Sequence, residues 1–130
     1  MTNEVLETIK KRRSIRSYSE KPVEEEKLAA ILEAGTYAAT GMNRQSPVIV
    51  AVENKEDRET LRKMNAESIG DPNADPFYGA PVVVVVLADK DIRTHTEDGS
   101  LVIGNMMLAA TSLGVSSCWI HRAKETFERP

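Results

Sequence analysis

The sequence predicts a single α+β domain over residues 1–130, and two features of its pattern carry that prediction. Apolar residues at helical spacing alternate along the chain with short β-branched runs, without repeats or low-complexity tracts. The run "VVVVVLA" at residues 82–88 is apolar on both faces, which is typical of a central strand covered on both sides. A chain of 130 residues is long enough for one hydrophobic core and too short for a second domain.

The first half of the chain predicts helices on either side of one strand. Val5 and Ile9 lie on the apolar face of a short helix. "VEEEKLAAILEAG" at residues 23–35 predicts a second helix, with acids in its first turn where the helix dipole favours them. "PVIVAVE" at residues 47–53 predicts a β-branched strand, and Asn54 follows it as the cap of a third helix.

The second half begins with "GDPNADPFYGAP" at residues 70–81, a loop dense in turn formers that leads into the apolar run. "DGSLVIGNMMLAATSLG" at residues 98–114 predicts a helix that is apolar almost all round. We expect a sheet to cover one side of this helix and a partner subunit the other. "VSSCWI" at residues 115–120 predicts a short strand, and residues 121–130 begin a last helix.

Composition excludes several classes of function. The formal net charge is −3, with 41% hydrophobic and 28% charged residues, which argues against a general nucleic-acid or membrane binder. Cys118 is the only cysteine, so a disulfide framework and a multi-thiolate metal site within one chain are excluded, and we expect a cytoplasmic protein. No apolar run is long enough to cross a bilayer or to act as a signal core, so we expect neither export nor a membrane anchor.

A basic cluster stands out in this acidic chain: residues 10–16, "KKRRSIR", contain five cations. Lysines at the end of a helix usually point into water, and we interpret Lys10 and Lys11 in that way. Arg12, Ser14 and Arg16 alternate, so an extended backbone would project them from one side. Two guanidinium groups beside a hydroxyl suit a phosphate monoester. A nucleic-acid patch ranks last, because only 5% of the chain is aromatic.

A second polar stretch, "ATGMNRQSP" at residues 39–47, lies between a predicted helix and a predicted strand. The amide side chains of Asn43 and Gln45 could read the hydrogen-bonding edge of a heterocycle. Ordinary turn chemistry is the alternative interpretation of the same residues.

Taken in order, four stretches resemble the FMN-dependent nitroreductase family over nearly the whole chain. They are "RRSIRSYSEKPV", the N-x-Q of "TGMNRQSPVIV", "APVVVVVLAD" and "GNMMLAATSLGVSSCWI". The resemblance implies a dimeric three-layer α-β-α fold, with a mixed central sheet and helices on both faces. Members of the family continue for several dozen residues beyond "HRAKETFE", so we expect this chain to lack the C-terminal segment of the family.

The resemblance also implies a set of cofactor-binding residues. In the family, the Arg-x-Ser-x-Arg/Lys segment holds the phosphate and ribityl chain of FMN, and the N-x-Q loop lies against the isoalloxazine ring. The segment after the last strand borders the ring with backbone amides. Arg13 is included with the phosphate group, although its side chain should alternate away. The residues implied are Arg12, Arg13, Ser14 and Arg16 for the phosphate end, Asn43 and Gln45 for the ring, and Ile120, His121 and Arg122 beside it.

The sequence contains no nucleophile with an adjacent base, no paired acids and no metal-ligand spacing. A flavin enzyme needs none of these, because the cofactor performs the chemistry. We therefore predict no catalytic side chain and no metal ligand, and we interpret His95 and His121 as structural. Phe77 and Tyr78 either contact substrate, as the resemblance implies, or pack the loop of residues 70–81 against the domain.

The resulting prediction is a homodimeric FMN-dependent oxidoreductase in which NADH or NADPH reduces small electrophiles such as nitroaromatics or quinones through the flavin. The helix of residues 100–114 would form the dimer contact, with FMN at the subunit interface. A non-catalytic protein that binds or sequesters FMN is the alternative. A third possibility is a regulatory module that uses "RRSIR" on an acidic partner.

Overall fold

A computed structural model describes residues 1–130. Five α-helices and two β-strands follow one another along the chain, with a 3₁₀ turn at Gly41–Asn43. The class is α+β, as the sequence predicts. The elements are α1 Glu4–Lys11, α2 Glu25–Thr36, β1 Val48–Val52, α3 Lys55–Ser68, β2 Val83–Leu87, α4 His95–Ser112 and α5 Ala123–Phe127.

The helix starts follow from capping residues in the sequence. The side chain of Asn3 accepts the N–H of Leu6 at 2.9 Å and begins α1. Asn54 accepts the N–H of Glu56 at 2.9 Å and begins α3, so its predicted role as a cap is confirmed. Each bond satisfies a backbone donor that has no partner inside the helix.

The sheet is smaller than the mixed sheet we expected. Strands β1 and β2 pair antiparallel, with Val48 opposite Leu87 and Val52 opposite Val83. The predicted strand at residues 115–120 is wrong as a strand, because only Ser117 pairs, in an isolated parallel bridge with Ser14. The N–H of Ile15 donates to the carbonyl of Ser117 at 3.1 Å. This backbone hydrogen bond joins the two segments at the bridge, and no β-ladder extends from it.

The core lies where α2 and α4 pack against one face of the sheet. Ile31, Val102 and Met106 are buried there, and Ile49 of β1 packs against them. Gly35 permits this approach, because a Cβ at that position would lie 2.8 Å from Ile49 Cδ1. The packing therefore depends on a glycine inside α2 as well as on the apolar residues.

The other face of the sheet is open in the single chain. Val48, Val50 and Leu87 project from it and are exposed. The expectation that residues 82–88 are covered on both sides, with helices on both faces, is therefore wrong for the isolated chain. The physical reason is that α2 and α4 both pack on the face that carries Ile49.

The chain also exposes more surface than a folded monomer of its size. The accessible area is 8933 Å². A monomer of 14.4 kDa is expected to expose about 6,800 Å², a difference of about 2,100 Å². Part of the excess is apolar, since Val5 and Ile9 of α1 and Leu101 of α4 are at least half exposed. None of the helices is long and apolar enough to cross a membrane.

Candidate functional site

The segment of residues 12–16 carries hydrogen-bond donors that the chain does not use. Helix α1 ends when the N–H of Arg12 donates to the carbonyl of Thr8, and the backbone is then held at the Ser14–Ser117 bridge. Arg12 Nη1 is buried and has no hydrogen-bond partner, and the same holds for Ser117 Oγ. Ser46 Oγ, in another loop, is also buried without a partner. Buried polar groups are normally hydrogen-bonded, so Arg12 and Ser117 have donors that can bind a polar ligand.

Arg13 behaves differently from its neighbour. Its Nη1 donates to the carbonyls of Lys10 at 2.6 Å and Arg12 at 2.7 Å. These bonds satisfy carbonyls at the end of α1, where cations are favoured. Its guanidinium thus folds back onto the end of α1, and its assignment to FMN stays a prediction.

A cleft of about 340 Å³ brings together four of the residues assigned to FMN. They are Arg16, Ile120, His121 and Arg122. Trp119 lies beside them, with its ring 6.0 Å from that of His121 in an edge-on contact. Two guanidinium groups and an aromatic wall in one cleft suit an anionic, planar ligand.

Asn65 also lines this cleft, and sequence reasoning missed it. It lies on α3, is 3% exposed, and donates from Nδ2 to the carbonyl of Leu61 at 2.9 Å. An amide can make up to four hydrogen bonds, and the structure gives this side chain one. The sequence did offer a signal for it. Asn65 lies about one helical turn after Leu61, so both residues are on the face of α3 that packs against the rest of the domain.

The loop of residues 70–81 forms one wall of the cleft and is fixed to α3. Arg58 Nη2 donates to Asp75 Oδ2 at 2.9 Å, and Asp75 also accepts the backbone N–H groups of Phe77 and Gly79. Burial acts to raise the pKa of Asp75, but these three hydrogen bonds outweigh it and hold the pKa below its ordinary value of 3.8.

The two aromatic residues of this loop have separate roles. Phe77 is buried, with the Arg58 guanidinium 5.9 Å from its ring centre, so packing explains this residue. Tyr78 has a φ of 54° and lines the cleft. A left-handed φ is costly outside glycine, and such positions are often found at functional sites.

Tyr18 follows the basic segment by two residues and lies near Cys118. Its hydroxyl donates to the carbonyl of Ile15. Burial, and then the nearby Cys118 thiol, raises the pKa of Tyr18 to about 12. Tyr18 is therefore neutral at physiological pH and acts here as a hydrogen-bond donor that fixes the extended segment.

The loop of residues 40–45 lies outside this cleft, and its polar groups form hydrogen bonds with one another. Thr40 Oγ1 accepts the backbone N–H of Gln45 at 3.0 Å, and Gln45 Nε2 donates to Asn43 Oδ1 at 2.9 Å. Gln45 lines a second cavity of about 290 Å³ between α2, β1 and α4. One chain therefore brings Arg16 together with residues 120–122, but does not bring Asn43 and Gln45 to the same cleft.

Comparisons with known proteins bear on this arrangement. The sequence profile of the nitroreductase family matches residues 9–126. A curated protein of Methanothermobacter thermautotrophicus, provisionally named NADH dehydrogenase/NAD(P)H nitroreductase, is 31% identical over an alignment of 120 residues that covers 89% of this chain. The chain spans 60% of the length of that relative.

Two solved structures resemble the fold closely. A crystal structure of a nitroreductase with bound FMN from Bacteroides fragilis matches with a TM-score of 0.87 and 39% identity, over 93% of this chain and 71% of that one. A nitroreductase with bound FMN from Desulfitobacterium hafniense matches with a TM-score of 0.88 and 29% identity, over 98% of this chain and 74% of that one. The resemblance drawn from the four sequence stretches is confirmed.

Proposed function

The chain belongs to the nitroreductase family, and from that premise we propose that it is an FMN-dependent oxidoreductase. NADH or NADPH would supply two electrons and a proton, and a small electrophile such as a quinone or nitroaromatic would receive them. Support comes from relatives whose names mention NAD(P)H nitroreductase activity or bound FMN. The observation that carries the proposal is the buried, unpartnered donor of Arg12 beside the Ser14–Ser117 bridge.

The donor set fits the phosphate of FMN. Arg12 Nη1 and Ser117 Oγ lack partners, and every side chain assigned to the phosphate end is a guanidinium or a hydroxyl. Asp75 is the one acid that lines the cleft, and Arg58 already pairs with it. A phosphate monoester carries nearly two negative charges and several acceptor oxygens, so it would satisfy these donors.

Residues of this chain would then divide the work of holding the cofactor. Arg12, Ser14 and Arg16 would bind the phosphate and ribityl end, and the backbone of Ile120 and His121 would border the ring. When bound, FMN supplies the hydride-transfer chemistry itself. The protein has to orient the ring and leave one face open, so the proposal assigns no chemical step to Cys118 or His121, although both line the cleft.

We further propose that two copies form the complete site. Asn43 and Gln45 lie away from the Arg16 cleft in one chain, so a second copy is needed to bring them to it. The excess surface of about 2,100 Å² per chain, or about 4,200 Å² for two chains, is in the range of obligate dimer interfaces. Exposed apolar residues on α1 and α4 mark the contact. The free Cys118 suits a reducing compartment, so we place the dimer in the cytoplasm.

Steady-state kinetics on FMN-saturated protein test this function. NADPH and the quinone would occupy one site in turn, so double-reciprocal plots at several quinone concentrations should give parallel lines. Each turnover should oxidise one nicotinamide and form one hydroquinone, with the second proton taken from water. Intersecting lines would require both substrates to bind together, and absence of turnover at full FMN occupancy would contradict the proposal.

A further inference from the structure

Asp98 is a buried carboxylate that none of the predicted functions uses. It lies in the first turn of α4, is 2% exposed, and takes part in none of the ion pairs of the structure. A buried charge is costly unless hydrogen bonds compensate it, so its partners indicate what it does.

The two carboxylate oxygens join α4 to a distant part of the chain. Asp98 Oδ1 accepts the backbone N–H of Gly41 at 2.8 Å, across 57 residues of sequence. Asp98 Oδ2 accepts the hydroxyl of Thr94 at 2.9 Å. The start of α4 adds a favourable helix dipole. Hydrogen bonds to a charged acceptor are stronger than neutral ones, so the link to Gly41 is a strong one.

Gly41 is required for this contact for a steric reason. A Cβ at Gly41 would lie 2.3 Å from Thr94 Oγ1 and 2.9 Å from Thr94 Cγ2. Those distances are shorter than any tolerated contact. The backbone of the loop can therefore reach Asp98 only with a glycine at position 41.

The loop that Asp98 holds is strained. Met42, Asn43 and Gln45 have φ values of 54°, 53° and 52°, in the left-handed region that favours glycine. Such residues persist only where the surrounding structure fixes them. The other hydrogen bonds of residues 40–45 stay within the loop, and the bond from Gly41 to Asp98 is the one that leaves it.

We infer that Asp98 is a positioning residue: it anchors the strained loop of residues 40–45 to α4 and so fixes where Asn43 and Gln45 meet the flavin ring. This inference rests on the proposed function, in which that loop lies against the ring. Asp98 itself touches no ligand. Its effect on flavin binding passes through the N–H of Gly41.

The first experiment needs no flavin. Residue-resolved amide hydrogen exchange on the apo protein should show the N–H of Gly41 protected. Asp98→Ala should raise exchange at Gly41 and Gln45 by about tenfold or more, because the anchoring hydrogen bond is lost. Asp98→Asn should stay within about threefold of the wild type, since its amide oxygen can accept the same bond.

Glu97→Ala is the matched control, because Glu97 is an exposed acid in the same turn of α4. It should leave exchange in the loop unchanged. If Asp98→Ala does not fold, Gly41→Ala takes its place, since a methyl group there pushes the loop off Thr94. Gly41 and Gln45 amides that exchange as in the wild type in the folded variant would overturn the inference, and so would an equal rise in Glu97→Ala.

The second experiment connects the anchor to the cofactor. Riboflavin and FMN share the ring, so Asp98→Ala should weaken both by the same factor, about tenfold, in a fluorescence-quenching titration. Asp98→Asn and Glu97→Ala should stay within about threefold. A loss confined to FMN would overturn the ring-end role of Asp98. Wild-type protein that binds neither flavin would contradict the proposed function, and the exchange result would then still decide whether Asp98 anchors the loop.

Discussion

The two polar segments assigned to the flavin differ in how they use their hydrogen-bond donors. Residues 12–16 are extended, and Arg12 Nη1 is buried without a partner. Residues 40–45 form a strained loop whose side chains bond to one another, as Gln45 Nε2 does to Asn43 Oδ1. The first segment has an unpartnered charged donor that can bind an anionic ligand, whereas hydrogen bonds within the second segment hold it in one geometry.

The difference indicates how the two segments share the cofactor. Unsatisfied charged donors gain most from a phosphate, and a rigid loop suits the edge of a planar ring. Arg16 of the first segment and Gln45 of the second line different cavities of one chain. In the proposed dimer, the two segments act on one FMN molecule across the subunit interface.

The largest effect should come from separating the subunits. Leu101 on α4 is 51% exposed in the single chain, so Leu101→Lys costs the folded monomer little. In the proposed dimer the lysine would be buried without a partner, which weakens association by about 100-fold or more. Sedimentation should show monomers, and flavin should be released with them.

Leu101→Ala is the control, because it shortens the same side chain without adding a charge. It should remain largely dimeric at micromolar concentrations. A Leu101→Lys monomer that keeps FMN with wild-type affinity would contradict the shared site.

A smaller effect should distinguish the phosphate end from the ring. Arg12→Ala removes the unpartnered guanidinium and should weaken FMN binding by about tenfold or more, since a charge-assisted contact is worth about 1.5–3 kcal/mol. Riboflavin lacks the phosphate and should bind almost unchanged. Isothermal titration with both flavins measures the two constants.

Lys11→Ala is the matched control for that experiment. Lys11 is adjacent, has the same charge, and is exposed in the last turn of α1. It should change FMN affinity by less than about threefold. Equal losses from the two substitutions would reduce the role of Arg12 to general electrostatic attraction.

The wall of the cleft should respond to pH through Asp75. Its pKa is held below 3.8 in the folded protein, so its stabilisation is fully present above that value and is lost as the pH falls through the folded pKa. Asp75→Asn should lower the free energy of unfolding by about 1 kcal/mol at pH 7. This value is at the low end of the range for hydrogen bonds to a charged group, because the side chain of Asp75 is partly exposed to solvent.

Urea unfolding of wild type and Asp75→Asn at several pH values measures that difference. It should shrink once the pH drops below the ordinary value of 3.8. Asp71→Asn serves as control, because Asp71 is in the same loop and has no ion-pair partner. A difference that is constant from pH 7 to strongly acidic solution would exclude the Arg58–Asp75 pair as its source.

The smallest effect is expected at His121. It lines the cleft beside Trp119, but the proposed chemistry needs no side-chain acid, because water can protonate the product. His121→Ala should keep turnover within about tenfold of the wild type at full FMN occupancy, a loss below about 1.4 kcal/mol. A fall of three orders of magnitude would restore a general-acid role to this residue.

Local sequence patterns predicted the separate elements well. The helix expected at residues 23–35 is found at Glu25–Thr36, and the strand expected at residues 47–53 is found at Val48–Val52. Both depend on apolar spacing and on capping or turn residues nearby.

Features that depend on distant contacts could not be predicted. The bond between Gly41 and Asp98 spans 57 residues, and nothing in either local pattern points to the other. Met42 and Asn43 adopt the left-handed conformation, and the adjacent Gly41 makes room for Thr94, which lies far away in the sequence. Burial of Asn65 depends in the same way on the packing of α3.

The proposed function requires that this chain bind FMN and that NAD(P)H reduce the bound flavin in place. The most direct measurement is the visible spectrum of the purified protein, loaded with FMN, desalted, and titrated with NADPH or NADH in the absence of oxygen. We predict a yellow protein that bleaches fully after one equivalent of nicotinamide per flavin, with its colour restored by a quinone. A protein that retains no flavin, or one that stays yellow with excess of both nucleotides, would contradict it.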